Sequence, residues 1–278
     1  MRVAGAPISW GVCEVPGWGH QLDPDRVLGE MRELGLTATE LGPDGYLSAE
    51  ILRNHEMRAI GGFVPLVLHQ SDHDPLPGLR ELTQTFADDM VVVLAAVTGQ
   101  DGYDTRPTLD AGGWRTLLGN LDRIAAELPR TGVKVALHPH VGTMVETAAE
   151  VRRVLDGSGI GLCLDTGHLL IGGTDPLDLA LRDPGRITHA HLKDVDSTLA
   201  AQVQSGTLSY TEAVKLGIYR PLGQGDIDIS GIISSLTKAS YDGWYVMEQD
   251  VILTTTPPPG TGPITNVHAS LTYLRGLP

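Results

Sequence analysis

Residues 186 to 196 read RITHAHLKDVD, and the chemistry open to this segment follows from its spacing. Side chains two apart on a β-strand share a face, so His189, His191 and Lys193 point one way and Thr188, Ala190 and Leu192 the other. Two imidazoles and an ammonium on one face are costly in an apolar core, and useful where a cation is held or a proton moved. Other segments repeat the theme. LCLDTGHLL ends an apolar run with Asp165 and adds His168 three residues later. ALHPHVGTMVET puts His138 and His140 on one face, with Glu146 beyond the Gly142-Thr143 turn. WYVMEQD closes an apolar run with Glu248 and Asp250, and Glu40 and His69 end two further runs. Each has a blander role by itself: Asp165 and Glu146 suit helix N-termini, a single histidine suits a hydrogen-bonded core position, and Glu248 suits an ion pair. The concentration of such residues at the ends of apolar runs favours a shared site.

Asp, Glu and His are oxygen and nitrogen ligands for Mn, Zn, Co, Fe or Mg, and one divalent ion is the simplest partner able to hold several of them together. No local metal motif is present, because HEMRA at 55 to 59 has Ala59 where HExxH needs its second histidine. LGQGDID is glycine-rich, yet it does not follow a strand and open a helix as a dinucleotide fingerprint does, so it reads as a turn. Any site must be assembled from distant parts of the chain.

The elements that would position these residues alternate along the sequence. Apolar, β-prone runs lie at 2 to 9, 37 to 42, 59 to 68, 90 to 97, 133 to 139, 160 to 166, 186 to 192 and 243 to 249. Between them are helical patterns. Val27, Met31 and Leu34 recur behind Asp23-Pro24; Leu117, Leu121, Ile124 and Leu128 share a face, with Pro129 as the stop; Ile229, Ile232, Ile233 and Leu236 form a third stripe. Eight strands with intervening helices in 278 residues predict a single α/β domain over 1–278, a closed (β/α)8 TIM barrel, whose site lies at the C-terminal strand ends. Two segments break the rhythm. The long connection at about 195–225 reads as a lid-like insertion, with Tyr210, Tyr219 and Arg220 available to substrate, and the Pro-rich arm at about 254–263 precedes a final helix. Trp10 and Glu40 are candidates for the opposite wall, and His69 and His168 are further candidates for substrate binding.

Composition narrows the partners. A formal charge of -14 opposes nucleic-acid binding, which needs lysine and arginine to neutralise phosphates, so a small-molecule partner is expected. Cys13 and Cys163 are the only cysteines, which argues against a disulfide scaffold or a cysteine zinc site. No secretory apolar region and no run approaching roughly 18 apolar residues is visible, so a cytoplasmic protein without a membrane span is expected. A homodimer is compatible with this chain, but no residue demands it.

PISW, HPHVGTMVET, LDTGH, THAHLKDV, PLGQGDID and GWYVMEQD, in this order from residue 6 to about 250, resemble the xylose isomerase-like, sugar phosphate isomerase/epimerase superfamily, and within it the inosose dehydratase branch. The resemblance implies a barrel with one divalent metal, Mn or Co favoured and Zn, Fe or Mg as alternatives, held by Glu, Asp, His and Glu from strands five to eight. Asp165, His191 and Glu248 fall on three of those positions. The strand-five ligand is His138, where many relatives carry Glu, or Glu146 reaching in from the turn; both stay open. The implied reaction is dehydration of an inosose, 2-keto-myo-inositol, with Glu146, His140 and Lys193 as candidates for the proton transfers. Isomerisation or epimerisation of a keto sugar shares its first step, and a non-catalytic sugar-binding barrel is the third reading. Endonuclease IV-type enzymes share the fold, but the acidic charge opposes that role.

Overall fold

The β-prone runs do become strands, because their branched and apolar side chains can be buried on both faces of a parallel sheet. The computed structural model describes residues 1–43, 45–128 and 132–277. The strands are β1 (Arg2–Gly5), β2 (Ala38–Glu40), β3 (Arg58–Leu66), β4 (Val91–Ala96), β5 (Lys134–Leu137), β6 (Leu162–Asp165), β7 (Ile187–Leu192), β8 (Asp194–Val195), β9 (Tyr219–Arg220) and β10 (Trp244–Met247). Eight of them close into a parallel barrel in the order β1-β10-β7-β6-β5-β4-β3-β2. The expected TIM barrel is therefore present. Several strands end earlier than their apolar runs. Pro7, which has no N–H for a ladder, opens a 3-10 turn over Pro7–Trp10, and His138 and Glu248 stand just beyond the last residues of β5 and β10.

The helices are α1 (Pro24–Glu33), α2 (Ala49–Asn54), α3 (Pro75–Leu82), α4 (Ala111–Glu127), α5 (Ala148–Gly157), α6 (Thr166–Ile171), α7 (Pro176–Arg182), α8 (Ser197–Gln204), α9 (Tyr210–Lys215), α10 (Ile229–Lys238) and α11 (Pro263–Arg275). Asp23 caps α1 through the Asp25 N–H at 2.9 Å, and Asp110 caps α4 through the Gly113 N–H at 2.7 Å. The expected stop of α4 at Pro129 lies outside the described residues. Val27, Met31, Leu117, Leu121, Ile124, Ile232 and Leu236 are completely buried, as their periodicity requires. Inside the barrel, register sets Ala4 beside Val246, Val246 beside His191, and His191 beside Asp165 across four neighbouring strands.

The connection at 195–225, read from the sequence as a lid-like insertion, carries two short helices, α8 and α9. Asp196 caps α8, a Ser209–Glu212 capping box starts α9, and Ala200, Tyr210, Ala213 and Ile218 pack with Trp18, Val141 and Ile171. β8 and β9 pair antiparallel at its base. The glycine-rich turn is pinned by Asp194, whose carboxylate accepts the N–H groups of Gly223, Gly225 and Ile227 at 2.8, 2.9 and 3.1 Å. The Pro-rich arm lies on α1, where Arg26 donates to the carbonyls of Pro257 and Pro258 at 2.6 and 3.2 Å. Among the described residues, no helix is long and apolar enough to cross a membrane.

Candidate active site

At the C-terminal end of the barrel, each polar residue is aimed inward by a local device. Asp165 ends β6 and uses its two oxygens differently. Oδ1 accepts the His168 N–H at 2.8 Å and caps α6, whereas Oδ2 faces His138 Nε2 at 3.2 Å, His191 Nδ1 at 3.5 Å and Lys193 Nζ at 3.5 Å. Asp165 is thus both helix cap and site carboxylate. Glu248 is held by its own N–H, which donates to the carbonyl of Leu192 at 3.0 Å, and the next residue is tied to Ser9 Oγ at 3.0 Å.

Asp165, His191 and Glu248 each offer a ligand atom within 4.8 Å of the others. His191 Nδ1 is 3.0 Å from Glu248 Oε2, yet it is a buried atom without a hydrogen-bond partner. An orphaned imidazole nitrogen between two buried carboxylates is what a divalent cation would satisfy, and the nitrogen-oxygen donor set suits one. His138 stands alongside, its ring centroid 5.0 Å from that of His191 and its Nδ1 also orphaned. Cys163 forms a further buried group with these two histidines. Glu146 is not in this cluster. It accepts from Arg106 Nε at 2.9 Å and from the Gly142 N–H at 2.8 Å, in an adjoining cleft.

Lys193, buried, holds the charges together: Nζ is 2.8 Å from Asp250 Oδ1 and 3.1 Å from Glu248 Oε2, and donates to His168 Nε2 at 3.0 Å. Burial works against its charged form, but Asp165, Asp250 and Glu248 outweigh burial and hold its pKa well above the ordinary lysine value. Burial likewise acts to raise Asp165, and the charge of Lys193 reverses this, so the carboxyl sits well below its usual range. Burial prevails at Asp250, which is raised. His140 and His168 stack with ring centroids 3.6 Å apart, and burial together with neighbouring cations drives both pKa values well down. His140 Nδ1 donates to the carbonyl of Val141 at 2.7 Å, leaving Nε2 as its basic atom.

The pocket beside this cluster is bordered by Glu40, His138, His140, His191, Lys193, Glu248 and Asp250, with Val12, Trp18, Phe63 and Tyr103 as apolar walls. Tyr210 donates to Asp250 Oδ2 at 2.9 Å, and Tyr219 lies beneath Lys193, whose Nζ is 5.3 Å from its ring centroid. Five expected substrate contacts are not pocket walls, Tyr219 beneath Lys193 being one of them. Trp10 is buried in the core and donates its indole N–H to Glu30 of α1 at 2.8 Å, because the 3-10 turn after Pro7 rotates it outward. Arg220 pairs with Asp196 at 3.0 Å, His69 is half-buried apart from the cluster, and His168 stands behind Lys193. Glu14, Trp18, Phe63 and Tyr103 went unrecognised in the sequence. Three of them lie in loops after β1 and β4, and position after a strand was the available signal.

Comparison with known proteins agrees with the barrel fold. A family model described as xylose isomerase-like TIM barrel matches residues 79–267. The rhizopine catabolism protein MocC of Rhizobium meliloti is 32% identical over 265 residues, covering 90% of this chain and 82% of the relative. The inosose dehydratase of Geobacillus kaustophilus (strain HTA426) is 33% identical over 271 residues, covering 90% and 87%. Among solved structures, an L-ribulose 3-epimerase superposes with a TM-score of 0.68 at 16% identity, covering 99% of this chain and 93% of its own. The IOLI protein with a binding zinc atom gives 0.68 at 16% identity, covering 100% and 98%. The closed parallel barrel, the matched span and the relatives together establish that the chain belongs to the xylose isomerase-like TIM barrel family.

Proposed function

We propose that the chain is a metal-dependent dehydratase acting on an inosose, 2-keto-myo-inositol, in inositol catabolism. That it is an enzyme of the dehydratase or isomerase/epimerase type rests on relatives named inosose dehydratase at up to 33% identity. The observation that carries the reading is the convergence of Asp165, His191 and Glu248 beside a pocket that also holds Lys193 and His140.

Asp165, His191 and Glu248 would hold the ion, with His138 as the fourth donor from the end of β5. A bound divalent ion supplies Lewis-acid stabilisation of charge developing on the ketone oxygen. The side chains perform the proton transfers. His140 Nε2 takes the proton from the carbon α to the ketone, and Lys193 Nζ gives its proton to the departing β-hydroxyl, which leaves as water. Asp250 and Glu248 keep Lys193 charged and directed. Glu146, paired with Arg106, supports the adjoining cleft.

A mass spectrum of 2-keto-myo-inositol after incubation with manganese- or cobalt-reconstituted protein, against a chelator-treated control, tests this reading. Metal-dependent loss of one water supports it. Deuterium uptake from heavy water without loss of water identifies an isomerase or epimerase instead.

A further inference from the structure

Glu40 and His189 form a buried network with the ligand candidate His191, and the proposed chemistry gives Glu40 and His189 no role. Glu40 ends β2, across the barrel from β7, and its Oε1 lies 2.7 Å from His189 Nε2 and 3.0 Å from His191 Nε2. All three are buried, His189 completely, and Glu40 is the polar partner His189 has. The backbone is shaped for this contact. Thr39 pairs with Ala59 but Glu40 pairs with Gly61, so Ile60 is skipped and a bulge falls at the residue that must reach inward. Gly61 is needed at that step, since a Cβ there would lie 2.6 Å from the carbonyl oxygen of Val91.

An ionised carboxylate can only accept, so each Nε2 facing Glu40 carries a proton. For His191 this leaves Nδ1, the orphaned atom near Glu248 and Asp165, as the nitrogen with a lone pair when the ring is neutral. We propose that Glu40 is a positioning residue: anchored by His189, it fixes the Nε2–H tautomer and the orientation of His191, so that Nδ1 is the atom presented to a divalent ion. The inference rests on the metal reading of the site. Glu40 acts through His191, as outer carboxylates act on ligating imidazoles.

The experiment uses the full chain labelled with ¹⁵N, zinc as the probe, and three variants: Glu40→Gln, Glu40→Leu and His189→Phe. In the zinc-loaded wild type, long-range ¹H–¹⁵N spectra should show His191 bound through Nδ1 and protonated at Nε2. Chelator competition should show zinc affinity lowered about 10- to 100-fold in Glu40→Gln, and at least as much in Glu40→Leu. His189→Phe, which keeps the carboxylate, should lie between wild type and Glu40→Gln. The Nε2 proton of His191 should also move upfield in Glu40→Gln, a change that a merely structural role would not produce. Zinc on His191 Nε2 or on Glu40 itself overturns the proposal, as does unchanged affinity in a folded Glu40→Gln protein. A wild type that takes up no zinc overturns the metal reading as well, which distinguishes the two failures.

Discussion

The ammonium of Lys193 stands 2.8 Å from the carboxylate of Asp250, at the ends of two neighbouring barrel strands, and 3.1 Å from Glu248. All three groups are buried, so this cation balances carboxylate charge at the barrel mouth. Replacing Lys193 with Met should lower kcat by about 10²- to 10⁴-fold while a metal remains bound. It should also destabilise the metal-free protein by about 3–5 kcal/mol, since it leaves buried carboxylates uncompensated. Steady-state kinetics, metal analysis and denaturant unfolding check the three effects; wild-type turnover in Lys193→Met would remove it from the mechanism.

Metal dependence makes a separate prediction at Asp165 and Glu248. A ligand that binds only the folded state stabilises it by about 2.7 kcal/mol at a hundredfold excess over Kd. Manganese or cobalt should therefore raise the Tm of the wild type, and should fail to raise that of Asp165→Asn or Glu248→Gln. Equal shifts in all three proteins would place the ion elsewhere.

Much of this arrangement is legible in the sequence because a strand exposes its pattern directly. The apolar runs ending at Asp165, Leu192 and Met247 fix where the barrel mouth lies, and the polar residues that follow have few bland roles there. Other features depend on phase or on distant contacts. A single turn after Pro7 sends Trp10 to Glu30 and away from the pocket. In α8 Ala200 is the buried residue and no apolar stripe marks the helix, so its start is signalled chiefly by the Asp196 cap. Arg106 and Glu146 meet from separate loops, and no local pattern announces that pairing.

Glu150, in the first turn of α5, gives a pH dependence of stability. Burial acts to raise its pKa, but the Arg106 hydrogen bond at 2.8 Å and the N–H groups of Thr147 and Glu146 lower it below the ordinary value of 4.5. A depressed carboxylate contributes stability that is fully present above its unfolded pKa and is lost as pH falls through the folded one. The Tm difference between wild type and Glu150→Gln should be constant near neutrality and shrink as pH drops below about 4.5. A difference independent of pH would show that the charge of Glu150 contributes nothing.

Glu146 is predicted to be structural. Its contacts are Arg106 and the Gly142 N–H, so Glu146→Gln should retain the metal content of the wild type and lose about 1 kcal/mol of stability. Metal analysis of the purified variant decides the point. A metal-free Glu146→Gln protein, otherwise folded, would make Glu146 the strand-five ligand in place of His138.

The pocket mouth carries the last prediction. The Tyr103 hydroxyl donates to Glu14, which joins the loop after β4 to the loop after β1, and Asp104 accepts the Thr211 N–H at 2.8 Å, which ties in α9. The Tyr103 ring lies 4.4 Å from that of His140, so these contacts close over the proton-transfer groups. If these loops part to admit substrate and close to retain it, the Tyr103–Glu14 contact controls that step. Tyr103→Phe removes the hydrogen bond and keeps the ring. A lost hydrogen bond to a charged acceptor corresponds to about a tenfold effect, so KM should rise by roughly that factor with a smaller change in kcat. Amides of residues 12–18 and 98–104 should exchange faster with solvent, while those of the barrel strands keep their protection. If exchange in both loops and KM match the wild type, the Tyr103–Glu14 contact does not control access to the site.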